Sequence, residues 1–245
     1  MTSTWIIVGA TSAMARAFAR LAAENGAHVL LAGRDMADMK RTKADCILRG
    51  SPSAYAVSFD ARKPGTFDEI AVKAALQEGE INVAVFVGSM PNQSTIDDDP
   101  AMVNGVVQDS MIGPAQLLHR LAPLLEERAC GTVIGVGSVA GDRGRLSNYV
   151  YGSAKAGFHT YLAGLRNRLG RSGVHVMTVK PGFVDTAMTW GLPGLFLVAS
   201  PRDVARDLWR GAKKKRNTIY TPWFWRYIML VIMHVPEFIF KKLKI

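Results

Sequence analysis

Three side chains of this chain have the types and spacing to do chemistry together: Ser138, Tyr151 and Lys155. Tyr151-Gly152-Ser153-Ala154-Lys155 puts the phenol and the ammonium one turn apart on one face of a helix. A neighbouring ammonium disfavours the protonated phenol, so the expectation is a Tyr151 pKa drawn from about 10 toward neutrality. Such a phenol is a general acid, suited to protonating a carbonyl oxygen as a hydride reaches its carbon. Ser138 closes the apolar run Val133-Ile134-Gly135-Val136-Gly137, thirteen residues before Tyr151, where its hydroxyl can hydrogen-bond the same oxygen. The plain alternative is a helical Tyr and Lys that pack and snorkel. The strand-borne serine upstream weighs against it.

Those residues need a scaffold, and the first thirty residues supply its start. Trp5-Ile6-Ile7-Val8 reads as a buried strand, Gly9 as a tight turn, and Ala13 onward as a helix running to Asn25-Gly26. Ala27-His28-Val29-Leu30-Leu31-Ala32 is the next strand. In such a β-α-β unit, Gly9, Thr11, Ser12, Ala13 and Met14 surround a helix N-terminus whose N–H groups and dipole suit a pyrophosphate. Further on, apolar strands near 54–58, 81–87, 132–137, 174–179 and 218–220 alternate with helical stretches near 35–49, 64–78, 102–128, 149–171 and 201–214. This order predicts an α/β fold, a three-layer, doubly wound parallel sheet of Rossmann type, with ligands at the carboxyl ends of its strands. We read residues 1–221 as one domain holding the catalytic residues, and 222–245 as an apolar and basic extension. Gly191–Ala199, apolar between Gly and Pro, reads either as a lid over substrate or as a loop packed on a second subunit.

With these motifs, nearly the full length of the chain resembles the short-chain dehydrogenase/reductase family. Where that family shows T-G-x-x-x-G-x-G, this chain has Val8, Gly9, Ala13 and Ala15. The family's N-N-A-G retains only Gly88, from Val85-Phe86-Val87-Gly88. The resemblance implies Ser138, Tyr151 and Lys155 as catalytic residues. It also implies Pro181, Gly182, Val184 and Thr186 as a cofactor-facing loop, and Asp60 as the adenine-contacting aspartate. The family's helix asparagine, which holds a water in the proton relay from the lysine, falls at Ser110 by ungapped counting, beside Asp109. Gly137–Arg145, Ser147–Gly152 and Pro236–Leu243 narrow the resemblance to a bacterial subgroup similar to the decaprenylphosphoryl-2-keto-pentose reductases. That implies a keto-sugar carried on a polyprenyl phosphate. The runner-up is a soluble 3-oxoacyl or small-ketone reductase. An alternative of another class is a dinucleotide-binding sensor or scaffold without turnover.

The end of the second strand speaks to cofactor choice. Ala32-Gly33-Arg34-Asp35 has no acid at the strand's last residue to hold a ribose 2′-hydroxyl, and Arg34 can grip a 2′-phosphate. This favours NADP(H) and leaves NAD(H) as the alternative. Asp35, which argues the other way, also fits as the N-cap of the following helix.

Composition is that of one globular enzyme of 245 residues, 49% hydrophobic. Cys46 and Cys130 have no paired spacing, and the five histidines form no ligand pair at helical spacing, so the expectation is no disulfide framework and no metal. The chain enters its first strand at once, which predicts cytoplasmic synthesis and retention. Charge is uneven: from Arg202 onward eleven Lys or Arg stand against three acids, while the whole chain carries +10. Trp209, Trp223, Trp225 and the apolar run Tyr227–Val235 share that tail. The run is far below the about 20 residues a spanning helix needs. It fits peripheral contact with the inner face of the membrane, Trp223 and Trp225 inserting, or else a cover over the core or a dimer partner. Lys213-Lys214-Lys215-Arg216 ends a helix, where cations suit the dipole, and no motif for reading nucleic acid accompanies it. The family resemblance implies a homo-oligomer, dimer or tetramer, through the long helices near 102–128 and 149–171.

Overall fold

In the first strand alternate residues serve opposite sides of a sheet: Trp5 and Ile7 join one apolar cluster, Ile6 and Val8 the other. The computed structural model describes residues 2–191 and 196–243. Seven strands, β1 (Ser3–Val8), β2 (His28–Gly33), β3 (Ala54–Ser58), β4 (Glu80–Val85), β5 (Thr132–Val136), β6 (His175–Pro181) and β7 (Thr218–Thr221), form one sheet. Their order is β3-β2-β1-β4-β5-β6-β7, and every pairing is parallel. The five inner strands β2, β1, β4, β5 and β6 are buried on both faces, which accounts for their near-continuous apolar runs, whereas the edge strands β3 and β7 leave Tyr55, Ser58 and Thr218 exposed.

Helices cover both faces. They are α1 (Ala13–Glu24), α2 (Met36–Leu48), α3 (Gly65–Ala75), α4 (Gln93–Asp98), α5 (Met102–Val107), α6 (Gly113–Arg128), α7 (Tyr149–Gly170), α8 (Pro201–Lys213), α9 (Trp225–His234) and α10 (Glu237–Phe240). On one face Phe18 and Ala22 of α1 and Leu208 of α8 pack against Trp5, Ile7 and Val29. On the other, Ile70 of α3, Leu117 and Leu121 of α6 and Phe158 and Leu162 of α7 pack against Ile6, Val83 and Val133. The fold is the doubly wound sheet that the alternation predicts. The 102–128 stretch differs: α5 and α6 are joined by one π-helical turn, Gln108–Ile112. π turns of this kind are frequent at functional sites, and this one carries Ser110.

Residues 222–243 fold back on the carboxyl end of the sheet. Trp225 and Met229 are buried against Val139, with Phe183 and Tyr220 packed beside them. The expectation that Trp225 inserts into a membrane needs correcting here: it faces inward, as a cover over the core would have it, and Trp209 packs on Trp5 and Phe18. Trp223 alone of the three is exposed. No helix among the described residues is long and apolar enough to cross a membrane.

Candidate active site

The turn after β1 opens the site. Gly9 holds φ +78°, and a Cβ there would meet the Phe86 carbonyl carbon at 3.1 Å, so both backbone and space call for glycine. Ser12 caps α1, its Oγ accepting from the Ala15 N–H at 3.1 Å, while its own O–H can still donate. Gly9, Thr11, Ser12, Arg34, Asp60 and Gly88 all line one cleft of about 200 Å³. Ala13 and Met14 stand one step back, in the first turn of α1. Asp60 also accepts from the Arg62 N–H at 3.0 Å, so one carboxylate oxygen is used by its own turn. A larger hollow of about 640 Å³ lies away from all of these residues, bordered by Phe67, Gln116, His119 and Tyr161 on α3, α6 and α7.

Asp35 caps α2, accepting from the Asp38 N–H at 2.9 Å. Arg34 is exposed at the cleft rim and forms no ion pair among the described residues. The cradle fits a dinucleotide by its own chemistry. It offers a glycine turn at a helix N-terminus, two hydroxyls, an uncommitted guanidinium, and Ser89 Oγ, buried with no partner among the described residues.

Beyond the carboxyl end of β5 the structure brings Ser138, Tyr151 and Lys155 together. Lys155 is buried, and its Nζ donates to the carbonyl oxygens of Val87 and Val136, both at 3.0 Å. Burial pulls its ammonium down to about 7. Tyr151 is buried one turn earlier, with Lys155 Nζ 5.9 Å from its ring centre. Burial pushes the phenol up to about 12, and the neighbouring Ser138 hydroxyl acts in the opposite direction. The expectation that Lys155 brings Tyr151 toward neutrality is therefore reversed. The lysine's own charge is disfavoured by the same desolvation and is spent on two carbonyls.

Ser110 lies across Gly88 from Lys155: a Cβ built on Gly88 would sit 3.1 Å from Lys155 Nζ and 3.4 Å from Ser110 Oγ. Ser110 is fully buried, and its Oγ accepts from the Ser89 N–H at 3.2 Å. Asp109 is committed elsewhere, bound by both arms of Arg62 at 2.8 Å each. Of the two neighbours, Ser110 is the one beside the lysine.

Sequence reasoning missed a second ring of residues behind Ser138. The Ser138 N–H donates to His159 Nε2 at 3.3 Å. Burial, then Lys180, pull His159 down to about 4, so it is a neutral imidazole whose other nitrogen faces Asp142 at 3.8 Å. Asp142 is buried and receives Lys180 Nζ at 2.5 Å and the Tyr220 hydroxyl at 2.8 Å. The spacing was readable: Asp142 follows Ser138 by four residues, His159 follows Lys155 by four, and Lys180 precedes Pro181-Gly182.

Pro181 ends β6, and Gly182 follows it under the Trp225 indole, where a Cβ would lie 1.9 Å from Nε1. Val184 forms a β-bridge with Ala199, and the Thr186 N–H donates to Thr189 Oγ1 at 3.2 Å. Of the expected lid, residues 192–195 lie outside the described residues. Phe196, which follows them, packs on Phe183 and Trp225.

Comparison with known proteins agrees with this geometry. The family model for short chain dehydrogenase matches residues 3–193. An uncharacterised oxidoreductase of Mycobacterium tuberculosis is 28% identical over 239 residues, covering 97% of this chain and 96% of that protein. The ketoacyl reductase HetN of Nostoc is 25% identical over 222 residues, covering 88% of this chain and 77% of its own length. Among solved structures, a short-chain dehydrogenase from Sphingobium yanoikuyae in complex with NADPH superposes with a TM-score of 0.82. It is 18% identical, with 96% of this chain and 97% of that one covered, and so shares the fold.

Proposed function

Because this chain belongs to the short-chain dehydrogenase family, we propose that it reduces a keto group to a secondary alcohol with NADP(H), on a sugar carried by a polyprenyl phosphate. Membership makes it an oxidoreductase with turnover rather than a silent dinucleotide sensor. The observation that carries the reading is the meeting of Ser138, Tyr151 and Lys155 beside a cleft fitted to a dinucleotide.

When bound, NADPH would supply the hydride for the carbonyl carbon. Ser138 and Tyr151 hold the carbonyl oxygen, and the Tyr151 O–H proton passes to it as its negative charge grows. A phenol near 12 keeps its proton until then, and an alkoxide is basic enough to take it. Lys155, near 7, holds or releases a proton at neutral pH and is suited to resupply Tyr151, with Ser110 as the hydroxyl on its far side. Gly9, Thr11, Ser12, Ala13 and Met14 would bind the pyrophosphate, Asp60 and Gly88 the adenosine half, and Pro181, Gly182, Val184 and Thr186 the nicotinamide half.

Arg34 supports NADP(H) over NAD(H), since Asp35 is spent as a helix cap and leaves the guanidinium for a 2′-phosphate. Peripheral contact with the inner face of the membrane would bring the enzyme to a lipid-linked substrate, and α6 and α7 are the helices through which we expect a dimer or tetramer to form.

A 3-oxoacyl reductase is the second reading, favoured by the likeness to HetN. The test is consumption of NADPH with a polyprenylphosphoryl keto-pentose, a 3-oxoacyl thioester and a small ketone, offered separately. Preference for the keto-pentose carries the first reading. Preference for the thioester replaces it with the second.

A further inference from the structure

The ten residues of α9 divide into two apolar faces with different fates. Trp225 and Met229 are buried against Val139, whereas Tyr227, Leu230 and Val231 are 60%, 51% and 67% exposed. Trp223 before the helix and Phe238 after it extend the exposed strip, at 71% and 65%. A second apolar segment lies nearby: Phe196 packs on buried Trp225 at 5.6 Å between ring centres, and its neighbours Leu197 and Val198 are exposed. So many large apolar side chains left exposed on one short segment mark an interaction site.

Charge identifies the occupant. Residues 222–243 carry Arg226, Lys241 and Lys242, all exposed, and one acid, Glu237. That acid is already paired with Arg143 at 2.8 Å. A two-fold contact between copies would set these cations against themselves with no free acid to answer them. An anionic bilayer supplies the missing charge, and a short helix with Trp and Tyr on its outer edge suits the plane of the interface.

The face is also mounted rigidly. The Arg143 guanidinium donates to the carbonyl oxygens of Ile232 and Val235, both at 2.6 Å, and lies 3.6 Å from the Phe240 ring centre. Arg143 stands five residues after Ser138, so the surface is bolted to the loop bearing the catalytic serine.

We infer that the outer face of α9 and α10, with Trp223 and Phe196–Val198, is a preformed docking surface for an anionic lipid bilayer. It sets the site against the membrane, so that a lipid-linked keto group is reduced while its lipid stays in place. The second clause rests on the reductase reading; docking itself does not.

The experiment is co-sedimentation of the full chain with vesicles of phosphatidylcholine, with and without phosphatidylglycerol. Wild type should pellet with the anionic vesicles and far less with the neutral ones. Leu230→Gln/Val231→Gln should weaken binding about tenfold or more, and Lys241→Gln/Lys242→Gln about tenfold at low salt and less at high salt. Both changes are on exposed positions, and NADPH-dependent turnover of a water-soluble ketone should stay at the wild-type rate. Wild type left in the supernatant with anionic vesicles overturns docking, as does a stable dimer that Leu230→Gln/Val231→Gln splits into monomers. Pelleting by a wild type that reduces no ketone would leave docking standing and remove the reductase reading.

Discussion

Asp142 and Lys180 meet at 2.5 Å inside the wall that supports Ser138, with the Tyr220 hydroxyl on the second carboxylate oxygen. This pair joins the loop after β5 to the end of β6, just before Pro181-Gly182. His159 faces the same carboxylate and takes the Ser138 N–H, so Asp142 sits where three site-bearing elements converge. Removing one partner of a buried ion pair leaves the other uncompensated.

Asp142→Asn should therefore cost about 3 kcal/mol of stability, and Asp142→Asn/Lys180→Met should recover part of it. Because Asp142 positions Ser138 without lining the cleft, kcat should fall about tenfold while NADPH affinity holds within about twofold. Denaturant titration and steady-state kinetics check both. Equal loss in kcat and cofactor binding would mean that Asp142 supports the fold only.

Tyr151→Phe keeps the ring and removes the proposed proton donor. Turnover should fall by about 10² or more while NADPH still binds, read by fluorescence titration. Lys155→Met should depress rate and cofactor binding together. A Tyr151→Phe enzyme running at near-normal rate would end the proposed role of Tyr151.

Arg34→Ala should weaken NADPH by about 1.5–3 kcal/mol, the worth of a hydrogen bond to a charged group, and leave NADH nearly unchanged. Isothermal titration with the two cofactors decides it. Equal losses would mean that Arg34 does not read the 2′-phosphate.

The fold was legible because parallel strands buried on both faces must be apolar throughout: Ile6, Val8, Val83 and Val133 could hardly sit elsewhere. The Tyr151–Lys155 spacing survives folding because a helix fixes it locally. What could not be read depends on partners distant in sequence. The fate of Trp225 was decided by Gly182 and Phe183, more than forty residues upstream, and the commitment of Asp109 by Arg62, across 47 residues. The Tyr151 shift was misjudged for the same reason, since burial is a property of the whole packing.

Lys155 makes stability depend on pH in a defined window. Its pKa falls from 10.5 to about 7 on folding, so between those values the unfolded chain binds more protons than the folded one. Stability of the cofactor-free protein should rise with pH from about 7 toward 10, by at most about 1.4 kcal/mol per pH unit from this group. The slope should flatten in Lys155→Met. Thermal unfolding of both proteins across that range is the measurement, and parallel slopes would contradict the assignment.

Gly182→Ala tests how tightly the C-terminal helix is tied to the site. The new Cβ would fall 1.9 Å from Trp225 Nε1, so the indole or the loop must move. Trp225 is buried between Phe183 and Phe196, at 5.4 and 5.6 Å between ring centres, so little slack is available. Overpacking of this kind costs about 1–3 kcal/mol, and indole emission should shift to longer wavelength as the ring is pushed toward water. Trp225→Phe removes Nε1 and Cε2, the two nearest colliding atoms, and with them a buried N–H that has no acceptor among the described residues, so it should be mild alone and should partly rescue Gly182→Ala in combination. NADPH affinity should follow the same order, falling in the single glycine variant and returning in the pair, because Gly182 belongs to the loop that ends β6. Gly182→Ala with wild-type stability and emission would show that α9 yields freely and that the loop is set without it.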